Sequence, residues 1–496
     1  VKTPTTAIKP TTSTPVTRKV QGQVNAHPDQ SGFRLLVTGP NALMSRIVLA
    51  DKAQHSIDLQ YYIFFGDATG RLVAQHILSA ADRGVRVRLL LDDIDIVKED
   101  KLLDALDAHP NIEVRLFNPF RFRQRSLLAK AAQALIEGQR LNRRMHNKSY
   151  IVDGAQAIIG GRNIGDAYFD LGDDAYFRDL DALAIGPIVS EIAASFDSYW
   201  NSDSAFPVKA YSGHDANAAN LADERAELLK NAREFDQSAY ADALAEELPN
   251  GPSADQGGRW FWGDARLVVD SPAKADPDKD GQHVDIGRQI SPTFMAAKQQ
   301  VLLISPYFIP GDTGMAALAA LRKRDVEIKV LTNALAATDE PAVHAGYARY
   351  RRDLLELEVG LYEFRPIAGE KADAVRGSSS GVSLHAKAMV VDHRNVFIGS
   401  MNFDPRSRYL NTELGVIVDS PPFAASIEKF FADATTPKNS FHVVLGPARS
   451  NSSWRPVSWV GTLNGERVEY SHDPFTSWWK RTQVQLIRVL PIESLL

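Results

Sequence analysis

Two stretches of sequence decide the fold: HNKSYIVDGAQAIIGGRN at 146–163 and HAKAMVVDHRNVFIGSMN at 385–402. Both carry His, Lys, Asp, Gly and Asn at offsets 0, 2, 7, 14 and 17. Two five-residue matches at identical spacing are not a chance event, so they indicate an internal duplication. The residues concerned are His146, Lys148, Asp153, Gly160 and Asn163 in the first motif and His385, Lys387, Asp392, Gly399 and Asn402 in the second.

The duplication extends upstream of both motifs. IDLQYYIFFGDATGRLVAQHILSAADRGVRVRLLLDD at 57–93 parallels VLLISPYFIPGDTGMAALAALRKRDVEIKVLTN at 301–333, and Gly70 and Gly314 correspond at nearly the spacing of the two histidines. Apolar runs of strand length alternate with helical patterns, which predicts an α/β fold. In the first half the predicted strands lie at 33–37, 56–65, 85–93 and 112–117, and the predicted helices at 41–53, 69–83 and 99–108.

Domain boundaries follow from the repeat and from changes in composition. Residues 1–29, rich in Thr, Pro and Lys at their start, are predicted to be a disordered tether. A removed signal or lipid anchor before it and an arbitrary boundary of the chain are the two alternatives for its origin. The halves are predicted at 30–207 and 259–440, with a helical connector at 208–258 that is polar and rich in alanine. Residues 441–496 are predicted to be a C-terminal extension.

Bulk composition limits the classes of function. The 496 residues carry a formal charge of -5, which gives no reason to expect nucleic acid as partner. The absence of cysteine excludes disulfides, cysteine-ligated zinc and a thiol nucleophile from this chain. No run of eighteen apolar residues occurs, so any membrane contact is expected to be peripheral.

The motifs have a direct chemical interpretation. On a strand, residues two positions apart point to the same face, so each half is expected to offer one imidazole and one ammonium group to a common cleft. The Asn after each Gly can donate its amide to an oxygen. Two histidines, two lysines and two asparagines suit a phosphodiester, with histidine as nucleophile or as general acid and base. This chemistry requires neither a metal nor a cofactor.

The duplicated motifs, each followed by Gly-x-x-Asn, resemble the phospholipase D superfamily over nearly all of residues 33–440. The resemblance implies two duplicated halves, each a mixed sheet flanked by helices, packed around one shared active site. It also implies that His146 is the nucleophile, that His385 is the general acid and base, and that a carboxylate from each half orients the histidine of the other. The matching carboxylates are Glu413 for His146 and Asp179 for His385, with Asp181 as an alternative to Asp179.

The sequence departs from the family pattern at one place. Many members carry Ser or Thr after the motif glycine, as in Gly399-Ser400, but the first half has Gly160-Gly161. This predicts two unequal half-sites, of which only the second has a hydroxyl donor to phosphate. Gly160, Gly161, Ser400, Asn163 and Asn402 are accordingly predicted to contact substrate.

The stretches SIDLQYYIF, IGGRNIGDAYF and LPIESLL resemble the C-type bacterial cardiolipin synthases. That subgroup implies transfer of a phosphatidyl group, with phosphatidylethanolamine as donor, to phosphatidylglycerol through a phosphohistidine, at a membrane surface of the bacterial envelope. A phospholipase D-type hydrolase that releases phosphatidic acid, a nuclease of the same fold and a non-catalytic lipid-binding scaffold remain alternatives.

Three features are consistent with a lipid substrate. Residues 121–148 carry eight Lys or Arg against one acid and form either a basic lip or a solvated helix. The segment 476–496 combines paired Trp with Lys, Arg and an apolar stripe, as in an interfacial helix, although docking onto the protein is the alternative. Tyr62 and Tyr307 end equivalent strands and are candidates to line the pocket, whereas Phe64 and Phe308 are predicted core residues.

Overall fold

The computed structural model describes residues 2–94, 96–120, 137–171, 175–212, 217–247, 259–279, 281, 285–366, 381–446 and 455–488. In the first half, strands and helices alternate close to the predicted positions, because each element carries the apolar periodicity of its own type. The elements of this half, in chain order, are β1 (Ser31–Leu36), α2 (Gly39–Lys52), β2 (Ser56–Tyr61), α3 (Ala68–Asp82), β3 (Arg86–Asp92), α4 (Asp100–Asp107), β4 (Ile112–Phe117), β5 (Ser149–Val152), β6 (Gln156–Gly160), β7 (Ala175–Arg178), β8 (Asp181–Ile185), α5 (Ile188–Trp200) and β9 (Ala205–Pro207), preceded by α1 (Pro15–Ala26).

The second half repeats this order after two connecting helices, α6 (Ala218–Asp236) and α7 (Ala239–Glu247). Its elements are β10 (Phe261–Val269), α8 (Ile286–Met295), β11 (Gln300–Ile304), α9 (Gly311–Arg322), β12 (Glu327–Asn333), α10 (Pro341–Glu356), β13 (Gly360–Phe364), β14 (Gly381–Leu384), β15 (Ala388–Val391), β16 (Asn395–Gly399), α11 (Pro405–Tyr409), β17 (Leu414–Asp419), α12 (Pro421–Ala434), β18 (Ser440–Leu445), β19 (Val457–Leu463), β20 (Glu466–Tyr470) and α13 (Trp478–Arg488).

Strand order confirms the duplication. The first sheet runs β1-β8-β6-β5-β2-β3-β4-β9, and the second runs β10-β17-β16-β15-β11-β12-β13-β18, so each strand has a counterpart in the same place. In both sheets the strands that flank the crossover helices are parallel and the others are antiparallel. The predicted fold class, two α/β halves with mixed sheets, is therefore confirmed.

The two sheets join into one, because β1 pairs antiparallel with β10 through Phe33 and Phe261. Helices α5 and α12 cover this junction, and their apolar faces enter a core to which both halves contribute. Phe423 of α12 stacks on Phe33 of the first half at 5.5 Å between ring centroids. Because neither half can bury this face alone, the shared core fixes the position of one motif relative to the other.

The prediction of a disordered tether over 1–29 is wrong. Thr14 caps α1 by accepting a hydrogen bond from the Thr17 amide, and Val16 and Val20 are buried. Upstream of this helix, buried arginines of the first sheet donate to backbone oxygens: Arg115 donates to Thr3 and Arg88 to Thr5. Composition does not reveal such order, because most of the acceptors that this segment offers to the guanidinium groups are backbone carbonyls, which every residue type carries.

The predicted boundary at residue 440 also needs correction. Residue Ser440 begins β18, which pairs with β13, and β19 and β20 continue the same sheet. The strands after residue 440 therefore belong to the second half rather than to an extension. Among the described elements after residue 440, α13 alone lies outside the sheet, and it packs against α10. None of the helices in the described part of the chain is both long enough and apolar enough to cross a membrane.

Candidate active site

Two short parallel contacts between the halves bring the motifs together. Strand β14, which ends at Leu384, pairs with β7, and His385 donates its backbone amide to the Arg178 carbonyl at 2.8 Å. The equivalent contact is a bridge between Met145 and Thr412, with the His146 amide 2.9 Å from the Thr412 carbonyl. Each motif histidine thus lies beside the residue that precedes the carboxylate of the opposite half.

The predicted pairing of histidines and carboxylates is present in this geometry. His146 Nδ1 lies 2.9 Å from Glu413 Oε2, and His385 Nδ1 lies 2.6 Å from Asp179 Oδ2. Asp181, the alternative partner of His385, is instead held by Arg46 at 2.9 Å. A carboxylate accepts a hydrogen bond from Nδ1–H, so in the neutral form of both rings Nε2 is the nitrogen with a free lone pair.

The motif histidines and lysines precede the strands rather than lying on them, since β5 begins at Ser149 and β15 at Ala388. Lys148 and Lys387 are fully buried, and each ammonium group donates to the backbone carbonyl of its own motif histidine, with an Nζ to O distance of 2.6 Å for Lys148. Burial lowers the pKa of both lysines, for Lys387 to about 8. Buried ammonium groups around two imidazoles give a strongly anion-attracting centre.

The two half-sites differ in their electrostatics. Burial, with the charges of Lys148 and Lys387, holds the pKa of His146 well below its usual value. Burial raises the pKa of Glu413 to about 7, against the opposing attraction of Lys148. Burial also disfavours ionisation of Asp179, but the attraction of His385 and its hydrogen bond hold the pKa of Asp179 well below its usual range.

The two half-sites also differ at the residue after the motif glycine, which is Gly161 in the first half and Ser400 in the second. The Ser400 hydroxyl donates to Glu413, and Ser407 donates to the other carboxylate oxygen at 2.7 Å. The Ser400 hydroxyl therefore helps to hold the carboxylate partner of His146. At Gly161 an added Cβ would lie 2.2 Å from Asp179 Oδ1, so the glycine makes room for the carboxylate. Packing against Asp179 therefore explains why the first motif has glycine where the second has Ser400.

Asn163, predicted to offer its amide to substrate, has hydrogen-bond partners within the protein. Its Nδ2 donates to the Tyr168 hydroxyl at 2.8 Å, and its Oδ1 accepts from the Ile63 amide. Asn402 donates its backbone amide to the Ser407 hydroxyl, and its buried Oδ1 has no hydrogen-bond partner among the described residues. Gly160 allows close approach to β8, since a Cβ there would lie 2.3 Å from Asp181 Oδ1.

Asp153 and Asp392 do not belong to the site, which corrects their assignment as catalytic residues. Each carboxylate accepts consecutive backbone amides at the start of a neighbouring strand: Asp153 accepts from residues 54–56, and Asp392 accepts from residues 298–300. Both residues lie at the end of a strand remote from the histidine, and both have φ +52° in a tight turn. Their role is to fix the turn between the two strands of each motif.

Aromatic rings line the centre. Tyr62 meets His146 edge-on, with ring centroids 4.9 Å apart. Tyr307 is half-buried and donates its hydroxyl to Asp339 at 2.8 Å. Two aromatic residues not predicted from the sequence, Tyr168 and Phe177, have rings 5.3 and 5.0 Å from that of His385. Tyr168 lies in the quoted stretch IGGRNIGDAYF, but nothing in its spacing pointed to His385.

Comparison with known proteins agrees with this geometry. The family model described as "Cardiolipin synthase, PLD-like domain" matches residues 47–200 and 290–434, which contain both motifs and both carboxylates. The chain belongs to this phospholipase D-like family. It is 40% identical over 484 residues to cardiolipin synthase C of Escherichia coli (strain K12), covering 95% of this chain and 97% of the relative. The chain is therefore an enzyme of the phospholipase D superfamily.

A more distant sequence relative and one solved structure also resemble the chain. Cardiolipin synthase 1 of Staphylococcus epidermidis is 25% identical over 383 residues, covering 76% of this chain and 62% of the relative. The crystal structure of phosphatidylserine synthase from Haemophilus influenzae Rd KW20 superposes with a TM-score of 0.60 at 12% identity, covering 97% of this chain and 99% of the other. That likeness concerns the fold alone.

The basic segment predicted at 121–148 is only partly described, because residues 121–136 lie outside the described residues. In the rest, Arg144 is buried against Asp92, and Arg143 donates to the Lys274 carbonyl at 2.9 Å. Arg140 is bonded to Glu137. These three arginines therefore bind the protein itself, and the lip remains a prediction only for 121–136.

Proposed function

We propose that the chain is a phosphatidyltransferase that forms cardiolipin from phosphatidylglycerol and a second phospholipid, with phosphatidylethanolamine as the donor. The observation that supports this most directly is the reciprocal arrangement of His146 with Glu413 and of His385 with Asp179. It supplies two imidazoles with Nε2 available for chemistry, between two buried ammonium groups.

In the first step, His146 Nε2 attacks the phosphorus of the donor. Its lowered pKa keeps the ring neutral, which leaves the lone pair on Nε2 for attack. The bond from phosphorus to the ethanolamine oxygen breaks, and His385 gives that oxygen its proton. The products are free ethanolamine and a phosphatidyl group bound to His146.

In the second step, His385 removes the proton from the primary hydroxyl of phosphatidylglycerol. The resulting oxygen attacks phosphorus and displaces His146, which returns to its starting state, and cardiolipin is released. Lys148 and Lys387 stabilise the negative charge that spreads over the phosphoryl oxygens in both transition states. Glu413 and Asp179 orient the rings and stabilise whichever imidazole is protonated.

The proposal that the substrates are phospholipids is supported by the relatives of this chain. The cardiolipin synthases of Escherichia coli and Staphylococcus epidermidis carry that activity in their names. We propose that this chain likewise acts on phospholipids at a membrane surface of the bacterial envelope. Helix α13 supports a peripheral attachment, because Trp478 and Trp479 are 68% and 58% exposed.

The proposal is tested by incubating the purified chain with labelled phosphatidylglycerol, with and without phosphatidylethanolamine, and by separating the lipid products. We expect cardiolipin, in larger amount when phosphatidylethanolamine is present. Phosphatidic acid as the sole product would contradict the transferase and indicate the hydrolase. Cardiolipin formed equally without phosphatidylethanolamine would contradict that donor.

The residue roles are tested with a donor labelled in its phosphatidyl group. We expect His146→Ala to abolish both turnover and covalent labelling of the protein, and His385→Ala to reduce turnover by about 10²-fold or more. His472→Ala, at an exposed position remote from the motifs, is the control. Covalent labelling of the His146→Ala protein at the wild-type level would contradict the assignment of the nucleophile.

A further inference from the structure

An apolar cavity of about 480 Å³ lies behind the second motif. It opens between helices α8 and α9 and is closed on one side by the chain that follows β16. This volume lies within the range of small-molecule sites. The side chains that form its apolar wall include Ile290, Phe294, Phe308, Leu318, Met401 and Phe403.

A short stretch of chain separates the cavity from the active site. Met401 and Phe403 line it on either side of Asn402, the last residue of the motif. Asp404 also lines it and begins α11, on which Ser407 donates to Glu413. One wall of the cavity is therefore the segment that holds the carboxylate partner of His146.

The mouth of the cavity differs from its interior. Arg408 and the exposed Tyr409 border it at the end of α11, and Arg408 lies over the Tyr409 ring at 5.1 Å. The exposed Asp312 also borders the cavity, so its rim carries charges of both signs. An apolar interior with a polar rim suits a molecule that has a hydrocarbon part and a charged head group.

We propose that this cavity binds one acyl chain of a phospholipid substrate while its phosphodiester lies between the two motif histidines. The inference rests on the proposed function, because it assumes that the reacting phosphodiester belongs to a lipid. Apolar contact contributes a roughly fourfold change in affinity for each methylene buried, so the cavity makes kcat/KM depend on chain length.

The first test fills the cavity. Ala317 lines it from α9, whereas its neighbour Ala316 is exposed and does not line it. Ala317→Phe and Ala316→Phe thus place the same added ring inside and outside the cavity on one helix. Phosphatidyl transfer is measured with monomeric donors whose acyl chains increase from four to ten carbons.

We expect kcat/KM to rise with chain length for the wild type and for Ala316→Phe, by about fourfold per added carbon within the cavity. We expect Ala317→Phe to lose most of this rise while keeping the rate on the shortest donor. The same chain-length dependence in both variants would overturn the inference, even though transfer itself continued and the proposed function stood.

A second test does not depend on turnover or on the variants. A phospholipid with a photoreactive group at the end of one acyl chain is cross-linked to the wild-type protein, and the labelled peptides are mapped by mass spectrometry. Labelling within 286–318 and 401–409 supports the cavity, also if the chain proves to hydrolyse lipids. Labelling confined to other segments overturns it.

Discussion

Glu413 and Asp179 occupy equivalent places in the two halves but have different surroundings. Glu413 accepts hydrogen bonds from two serines, and burial raises its pKa to about 7, whereas the pKa of Asp179 is held low by His385. The folded protein therefore binds a proton at Glu413 more tightly than the unfolded chain does. The contribution of this proton to the free energy of unfolding is fully present below pH 4.5 and is lost as the pH rises through about 7.

Glu413→Gln removes this titration. Between pH 4 and pH 8.5 we expect the free energy of unfolding of the wild type to fall by about 3 kcal/mol more than that of the variant. Chemical denaturation at a series of pH values measures the difference. Glu234→Gln, at an exposed position on α6, is the control and should follow the wild type. Parallel curves for the wild type and Glu413→Gln would contradict a raised pKa at Glu413.

Gly161 supports a second prediction about single residues. Ser at this position brings Cβ to 2.2 Å from Asp179 Oδ1, so the carboxylate must move away from His385. We expect Gly161→Ser to lower kcat by about 10- to 100-fold, as the loss of an orienting carboxylate does elsewhere. Gly22→Ser on α1, where an added Cβ meets nothing within 4 Å, should leave kcat unchanged. A Gly161→Ser enzyme as active as wild type would refute the packing argument.

At the scale of elements, helix α13 is both docked on the protein and exposed to solvent. It thus combines the two alternatives that its sequence left open, an interfacial helix and a helix packed on the core. Val484 is buried and packs with Leu335 and Ala345, which docks the helix on the protein. Trp478, Trp479 and Leu486 remain exposed on the same helix. A helix that is fixed on one side and presents indole rings on the other is suited to rest on a bilayer.

We expect Trp478→Ala/Trp479→Ala to reduce flotation with anionic phospholipid vesicles by about tenfold, because indole rings anchor at the interface of the bilayer. The exposed Leu229→Ala on α6 is the control, since that side chain is apolar and 42% exposed but lies away from α13 in sequence. Thermal unfolding should be unchanged in both proteins. If the tryptophan variant floats as well as the control, α13 is not the membrane contact.

At the scale of the whole molecule, the halves share one sheet and one core. Phe423 stacks on Phe33 of β1, and its ring centroid lies 5.8 Å from that of Phe261 of β10. Its ring therefore packs across the junction between the two sheets. We expect Phe423→Ala to destabilise the protein by about 3–5 kcal/mol and both halves to unfold in one transition. Phe475→Ala, at a side chain 40% exposed, should cost less. Two separate calorimetric transitions in the variant would show that the halves unfold independently.

Much of this architecture could be predicted without coordinates. The spacing of the motifs indicated two halves, the alternation of apolar runs indicated the strands of the first sheet, and the family resemblance paired His146 with Glu413 and His385 with Asp179. These properties depend on local pattern and on repetition, which a linear chain records directly. The sequence did not predict the ordered segment before residue 30 or β18, because their partners are distant in sequence. The hairpin of β19 and β20 is local and was also not predicted.

The functions of individual polar side chains were decided by the tertiary structure. Sequence determined that Asp153, Asp392, Ser400 and Asn163 belong to repeated motifs, but the structure assigns the two aspartates to turns, Ser400 to Glu413, and Asn163 to Tyr168. Spacing shows which residues recur together. It does not show which donors and acceptors meet, because a buried polar group takes the partner that the packed chain brings within about 3 Å, and that depends on both halves at once.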